Sequence, residues 1–300
     1  MSENRFRAWY RSGADRPLVL AHRGDSYHAP ENTLEAARIA LEAGADGWEL
    51  DVRMTRDGAL VVLHDESLLR TTDVARRFEG DPRAAQGFLV AEFTLEEVRS
   101  LDAGSWFVEP SGGQRSAAKF GTLSCMAEII RSFYGSGRVR VPTLGEALRL
   151  TDQFGGLVNV EVKPVEGDPA ALVDAVVGAI RVSDAVDRVA VSSFDHRVVG
   201  LVVARESGLA TGALVERPPD RPAVGWLRAL GADALHAPPS ALGPMTSGVP
   251  VLVYTINDAG PGGLAGRLAE AGVAGLFTDD PASLIQMLGI SPSSVRTRSH

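Results

Sequence analysis

Short β-branched runs alternate with helix-period segments from Leu18 onward, and this alternation restricts the possible folds more than any other feature of the chain. Parallel neighbours need a crossover of a dozen or more residues, so the pattern reads as repeated strand and helix units on a parallel sheet. The runs are Leu18 to Ala21, Gly47 to Val52, Leu157 to Lys163, Val189 to Ser193, Ala210 to Leu214, Ala234 to Ala237, Val249 to Thr255 and Gly275 to Thr278. Eight runs predict closure into an α/β (β/α)₈ TIM barrel. An open doubly wound sheet is the competing architecture, because periodicity counts strands without showing that they close. Helix starts are marked by Asn32-Thr33, Asp195 and Asp280-Pro281, where a polar side chain can take the free N–H groups of a first turn.

The rhythm breaks once. Between His64 and Leu157 lies far more chain than one crossover needs, including GSWFVEPSGGQRSAAKFG and the run Leu123 to Tyr134. Residues 66 to 140 are read as one barrel helix plus an inserted subdomain in the loop region after strand 2, where barrel loops shape the substrate pocket. Residues 1–289 are expected to form a single domain and 290–300, rich in Ser and Arg, a disordered tail. An apolar fraction of 45% supports a sizeable core, and the net charge of −8 opposes nucleic acid and anionic membrane surfaces. No apolar run reaches the roughly 18 to 20 residues of a membrane span. The polar first residues lack the apolar core of a secretion signal, so a cytoplasmic location without stable membrane association is expected. Cys125, the single cysteine, reads as a small apolar filler. Oligomeric state is not legible.

Parallel barrel strands are usually continuous apolar runs, so charged residues within them need a reason. In GWELDV, Glu49 and Asp51 share one face and Trp48, Leu50 and Val52 the other; in LVNVEVK, Asn159, Glu161 and Lys163 share one face against valines. Both polar faces are expected to point into the barrel mouth, bringing three carboxylates together at its C-terminal rim. Such a cluster needs protons, a pairing arginine or a cation. Oxygen ligation suits Mg²⁺, Ca²⁺ or Mn²⁺, so Glu49, Asp51 and Glu161 are the candidate metal ligands.

His22 and Arg23 leave strand one at the same rim, and His64 follows ALVVL. Asp57-Gly58 signals a hairpin that folds strand two back. A two-residue loop would pair Arg56 with Ala59 and, stepwise, Asp51 with His64; a bulge at Gly58 would spoil that register. Two imidazoles can supply a general acid and a general base, while Arg23 and Lys163 can neutralise phosphoryl oxygens. Lys163 is one of only two lysines among 30 basic residues, the other being Lys119, which points to a need for a compact ammonium. Trp106, Phe194 and Tyr254 are the candidate aromatic lining of a leaving-group pocket.

HRG, PENT, the E-L-D strand, the His-Asp pair after an Asp-Gly turn, and E-V-K-P stand in the order and near the spacing of glycerophosphodiester phosphodiesterases, which this chain resembles from roughly Pro17 to Leu288. SSFD at 192–195, YTIN at 254–257 and FTDDP at 277–281 agree with it. Many relatives have Trp where this chain has Tyr254, and 111–138 is longer than the resemblance leads one to expect. The resemblance implies metal ligation by Glu49, Asp51 and Glu161, acid and base roles for His22 and His64, phosphate contacts from Arg23 and Lys163, and a supporting loop with Glu31 and Asn32. It implies hydrolysis of a small glycerophosphodiester to glycerol 3-phosphate and an alcohol. Relatives of the fold act on lysophospholipids and other phospholipids, the alternative substrates. A barrel glycosidase also uses paired carboxylates but needs no histidines beside Arg and Lys; a catalytically inert binding barrel is the non-enzymatic alternative.

Overall fold

A computed structural model describes residues 3–12, 14–109, 126–260 and 262–290. The strands are β1 (Leu18–His22), β2 (Gly47–Met54), β3 (Leu60–Val62), β4 (Leu157–Val162), β5 (Val189–Ser193), β6 (Ala210–Leu214), β7 (Ala234–Ala237), β8 (Val251–Val253) and β9 (Gly275–Thr278). They bond in the order β1-β9-β8-β7-β6-β5-β4-β2, and β1 also pairs with β2, so eight parallel strands close into a ring. Closure settles the architecture as a TIM barrel and excludes the doubly wound sheet. β3 lies outside the ring, antiparallel to β2.

Alternation along each strand separates two apolar layers. Val19, Ala21, Trp48, Leu50, Val52, Val158 and Val160 face outward into one core that also holds buried residues of the helices Leu34–Glu42, Leu144–Phe154 and Ala170–Val182. Leu18, Leu20, Leu157, Ala190, Ala210, Ala234, Leu252 and Phe277 form a second, inner cluster. Along β1, β4 and β7 the alternate series beginning with these residues turns polar toward the C-terminal end: Leu18 and Leu20 give way to His22, Leu157 to Asn159 and Glu161, Ala234 to His236. That gradient fixes which end of the barrel carries the chemistry.

A helix at Arg5–Ser12, unassigned from the sequence, inserts Phe6 into the inner cluster. Asn4 fastens it by donating from Nδ2 to the carbonyls of Val186 and Val189 at 2.6 and 2.9 Å. The expected helix starts are caps: Thr33, Asp195 and Asp280 accept from the backbone N–H groups of Ala36, Arg197 and Ser283. The excursion after β3 builds its own apolar cluster, with Leu68, Val74, Phe93, Leu101, Phe107 and Tyr134 among its buried members. The barrel helix of this unit is Leu144–Phe154, C-terminal to residues 66–140 rather than within them. The expectations for 110–125, including Cys125, and for the tail from 291 onward lie outside the described residues. Among the described residues no helix is long and apolar enough to cross a membrane.

Candidate active site

Three adjacent strands set the polar end of the barrel. The β1–β2 register places His22 beside Glu49, and the β2–β4 register places Glu49 beside Asn159 and Asp51 beside Glu161. One ligand oxygen from each of Glu49, Asp51 and Glu161 lies within 4.8 Å of the others, and all three residues are buried. The predicted convergence of these carboxylates is therefore present.

Two cations serve this cluster unevenly. Lys163 Nζ sits 2.6 Å from Asp51 Oδ1 and also contacts Glu161 Oε1, while Arg23 Nε lies 3.4 Å from Asp51 Oδ2. Asn32, in the left-handed region at φ 58°, donates from Nδ2 to Asp51 Oδ2 at 2.7 Å. Against the cost of burial, Arg23 and Lys163 hold Asp51 below the ordinary carboxylate range. Glu49 receives the backbone N–H of Arg23 at Oε2, 3.0 Å away, but its Oε1 is buried without a hydrogen-bond partner. Burial first, then repulsion from Asp51 and Glu161, pushes the Glu49 pKa well up, and burial with Asp51 raises that of Glu161. The pairing cations thus leave a deficit of positive charge at Glu49. An all-oxygen donor set with an unpartnered, charge-starved carboxylate fits a divalent cation.

Each expected histidine is held by its own carboxylate. His22 Nδ1 lies 2.7 Å from Asp279 Oδ1, and Asp279 also accepts from Ser26 Oγ and Asn257 Nδ2. Against burial, the hydrogen bond from His22 and those from Asn257 and Ser26 lower Asp279 to about 2. His64 Nδ1 lies 2.6 Å from Asp65 Oδ1. Against burial, His64 and Arg70 hold Asp65 below its usual range. Ionised carboxylates only accept, so Nδ1 carries the proton in both rings and Nε2 is the nitrogen that the carboxylate does not engage. Arg70 also grips Glu31 through two 2.8 Å contacts, and Glu31 accepts from Arg23 Nη1 at 2.8 Å. A continuous chain of charges therefore runs from Arg23 through Glu31, Arg70 and Asp65 to His64.

The predicted pairing of Asp51 with His64 is corrected. β2 pairs with β3 as Val52 with Val62 and Met54 with Leu60, and the Leu63 N–H donates to the Asp51 carbonyl. Gly58 adopts φ 81° and Thr55 pairs with Ala59, making a three-residue loop with the Gly58 bulge and shifting the register by one residue. His64 still reaches the mouth because the strand ends at Val62 and Arg53 Nε holds the His64 carbonyl at 2.9 Å.

His22, Arg23, Glu49, His64, Glu161, Lys163, Phe194 and Tyr254 line one cavity of about 330 Å³. Phe194 and Tyr254 meet edge to face at 6.2 Å, and Tyr254 Oη donates to the Val215 carbonyl. Trp106 is not among the lining residues: it belongs to the inserted subdomain, packs edge to face on Phe107 and donates from Nε1 to the Ala103 carbonyl.

Comparison with known proteins agrees with this geometry. The family model described as glycerophosphoryl diester phosphodiesterase family matches residues 22–283. The chain belongs to that family. It is 34% identical over 281 residues to a glycerophosphodiester phosphodiesterase of Caldanaerobacter subterraneus subsp. tengcongensis, covering 91% of this chain and 98% of the relative. It is 29% identical to one of Bacillus altitudinis, covering 90% and 97%. Among solved structures it is similar to an Oleispira antarctica phosphodiesterase in complex with the product sn-glycerol-3-phosphate, with a TM-score of 0.72, 29% identity and coverage of 91% and 97%. As a member of the glycerophosphoryl diester phosphodiesterase family the protein is a phosphoric diester hydrolase, and the glycosidase and inert-barrel readings fall away. Asp279, Asp65 and Arg70 were missed as site residues. For Asp279 and Asp65 the signal was their place in FTDDP and in the His64-Asp65 pair, but only the fold shows which imidazole each carboxylate holds; Arg70 had no such signal.

Proposed function

We propose that this hydrolase cleaves small glycerophosphodiesters to glycerol 3-phosphate and an alcohol, with His22 and His64 moving protons. The observation that carries the reading is the buried triad of Glu49, Asp51 and Glu161 beside two imidazoles, each oriented by its own carboxylate. Mg²⁺, Ca²⁺ or Mn²⁺ held by Glu49, Asp51 and Glu161 would supply Lewis-acid neutralisation of phosphoryl charge.

The chain's own residues account for the remaining steps. Arg23 and Lys163 line the cavity beside the triad, and each can turn donors toward non-bridging phosphoryl oxygens as negative charge builds. One imidazole, with Nδ1–H fixed on its carboxylate, takes the proton of the attacking hydroxyl at Nε2. The other, protonated, gives its Nε2 proton to the departing alkoxide. Asp279 and Asp65 fix ring orientation and stabilise each imidazolium. The half-buried pair Phe194 and Tyr254 receives the leaving alcohol at the cavity mouth.

A turnover panel of glycerophosphocholine, glycerophosphoethanolamine and lysophosphatidylcholine, with each phosphate product identified, tests the substrate class. The expected result is glycerol 3-phosphate from the two glycerophosphodiesters. Preference for lysophosphatidylcholine would transfer the assignment to a lysophospholipase D type of reaction, and no monoester from any diester would remove it.

A further inference from the structure

The wall of the cavity opposite the carboxylates comes from β5 to β9 and is lined by Phe194, Leu214, His236, Tyr254, Thr255 and Phe277. His236 stands out there. It follows Ala234 at a spacing of two on β7, so it shares the inward face of that residue, and it is 1% exposed. Both ring nitrogens are buried and neither has a hydrogen-bond partner. Burial pushes its pKa down to about 3, so at neutral pH the ring is uncharged, with one N–H donor and one acceptor.

The fold makes room for this ring. A Cβ at Gly212, on the neighbouring strand β6, would stand 2.4 Å from His236 Nε2, so only glycine at that place lets the imidazole lie where it does. Phe277 supports it at a ring distance of 5.3 Å. A filler of packing alone would be apolar, because the imidazole loses water at both nitrogens and gains nothing in return. Besides Glu49 Oε1 of the acidic triad, the buried, unpartnered acceptor in the same cavity is Asn159 Oδ1, whose Nδ2 is already committed to Ser192 Oγ. Asn159, His236 and Phe277 are each exposed by 2% or less, whereas His22 and His64 are half-buried, so these residues make the floor and the histidines the mouth.

We infer that His236 is a specificity-determining residue, binding a hydroxyl of the glycerol half of the substrate at the cavity floor. The choice of ligand rests on the glycerophosphodiester reading. Either nitrogen of a neutral imidazole can meet a hydroxyl, which both donates and accepts, whereas a phosphate oxygen only accepts and can be met only by the nitrogen that carries the proton. The glycerol half is the part shared by all glycerophosphodiesters. A closed floor suits that invariant part, and the mouth suits the variable alcohol.

Binding of sn-glycerol 3-phosphate and of n-propyl phosphate, which lacks both hydroxyls, to the Mg²⁺-loaded enzyme tests this by calorimetry. Wild type should prefer glycerol 3-phosphate by about tenfold or more, His236→Phe should erase the preference, and His236→Gln, which keeps a donor and an acceptor, should retain part of it. Should His236→Phe fail to fold, ¹⁵N-histidine spectra of the wild type carry the test: glycerol 3-phosphate should shift the imidazole signals missing from His236→Gln, and propyl phosphate should not. Equal affinity of the wild type for both ligands, or an undiminished preference in His236→Phe, overturns the inference. An intact preference in an enzyme that cleaves no glycerophosphodiester supports the subsite and removes the proposed reaction instead.

Discussion

Replacing Glu49 with Gln should make the metal-free protein more stable and its response to metal weaker. The triad oxygens lie within 4.8 Å of one another. At an effective dielectric of about 20, two charges that close repel by about 3.5 kcal/mol. Glu49 faces two such neighbours, while Lys163 and Arg23 are already engaged with Asp51, so the repulsion is only partly offset. Gln keeps the shape and an oxygen for the Arg23 N–H. Because the folded pKa of Glu49 is raised, the native state holds a proton that the unfolded chain loses near pH 4.3, and wild-type stability falls as pH rises from there to the folded pKa. Glu49→Gln removes that fall and should gain about 1 to 3 kcal/mol at pH 7. Saturating divalent metal should reverse the order, stabilising wild type by about 2.7 kcal/mol at a hundredfold excess over Kd and the variant far less. Urea unfolding at pH 5, 7 and 8, with chelator and then with Mg²⁺, Ca²⁺ or Mn²⁺, reads both effects. A variant less stable than metal-free wild type, or one with an unchanged metal response, would refute the electrostatic account.

Three further outcomes follow from the site. Lys163→Arg should lower turnover although charge is kept, since a longer, planar guanidinium cannot keep the compact ammonium's contacts with both Asp51 and Glu161 without moving its donors; wild-type turnover would show that charge alone suffices. His64→Ala should cost on the order of 10² to 10⁴ in turnover with metal affinity nearly intact, and an activated leaving group should lose less if His64 is the acid; loss of metal affinity would make it a ligand. Asp279, lowered to about 2 in the fold, contributes stability present above its unfolded pKa near 3.9 and lost as pH falls toward 2. Asp279→Asn should remove about 2 kcal/mol of that acid sensitivity between pH 5 and 2.5, and identical unfolding midpoints across that window would contradict it.

The period-two faces of GWELDV and LVNVEVK revealed the triad because parallel barrel strands are ordinarily continuous apolar runs, so charge repeated on one face stands out. The same local logic failed at Gly58, where a left-handed residue added one position to the loop and slipped the register. The helix Arg5–Ser12 went unseen since it is short and polar except for the side chains it buries against the barrel floor. Asp279 lies 257 positions from His22, and Gly212 shapes the place of His236 from another strand; pairings of that kind arise only once the barrel closes. Trp106 carried an aromatic signature equally suited to pocket and packing; among the described residues it packs on Phe107 and is not one of those lining the cavity with Phe194 and Tyr254.

The central claim is that Glu49, Asp51 and Glu161 make this hydrolase metal-dependent. Its most direct test is ³¹P NMR of glycerophosphocholine turnover by chelator-treated enzyme, followed by stepwise return of Mg²⁺, Ca²⁺ or Mn²⁺, in wild type and in Glu161→Gln. The account predicts no glycerol 3-phosphate without metal, restored formation on addition to wild type, and little recovery in the variant. Undiminished turnover in the chelated wild-type enzyme, or full recovery in Glu161→Gln at the same metal concentration, would contradict it.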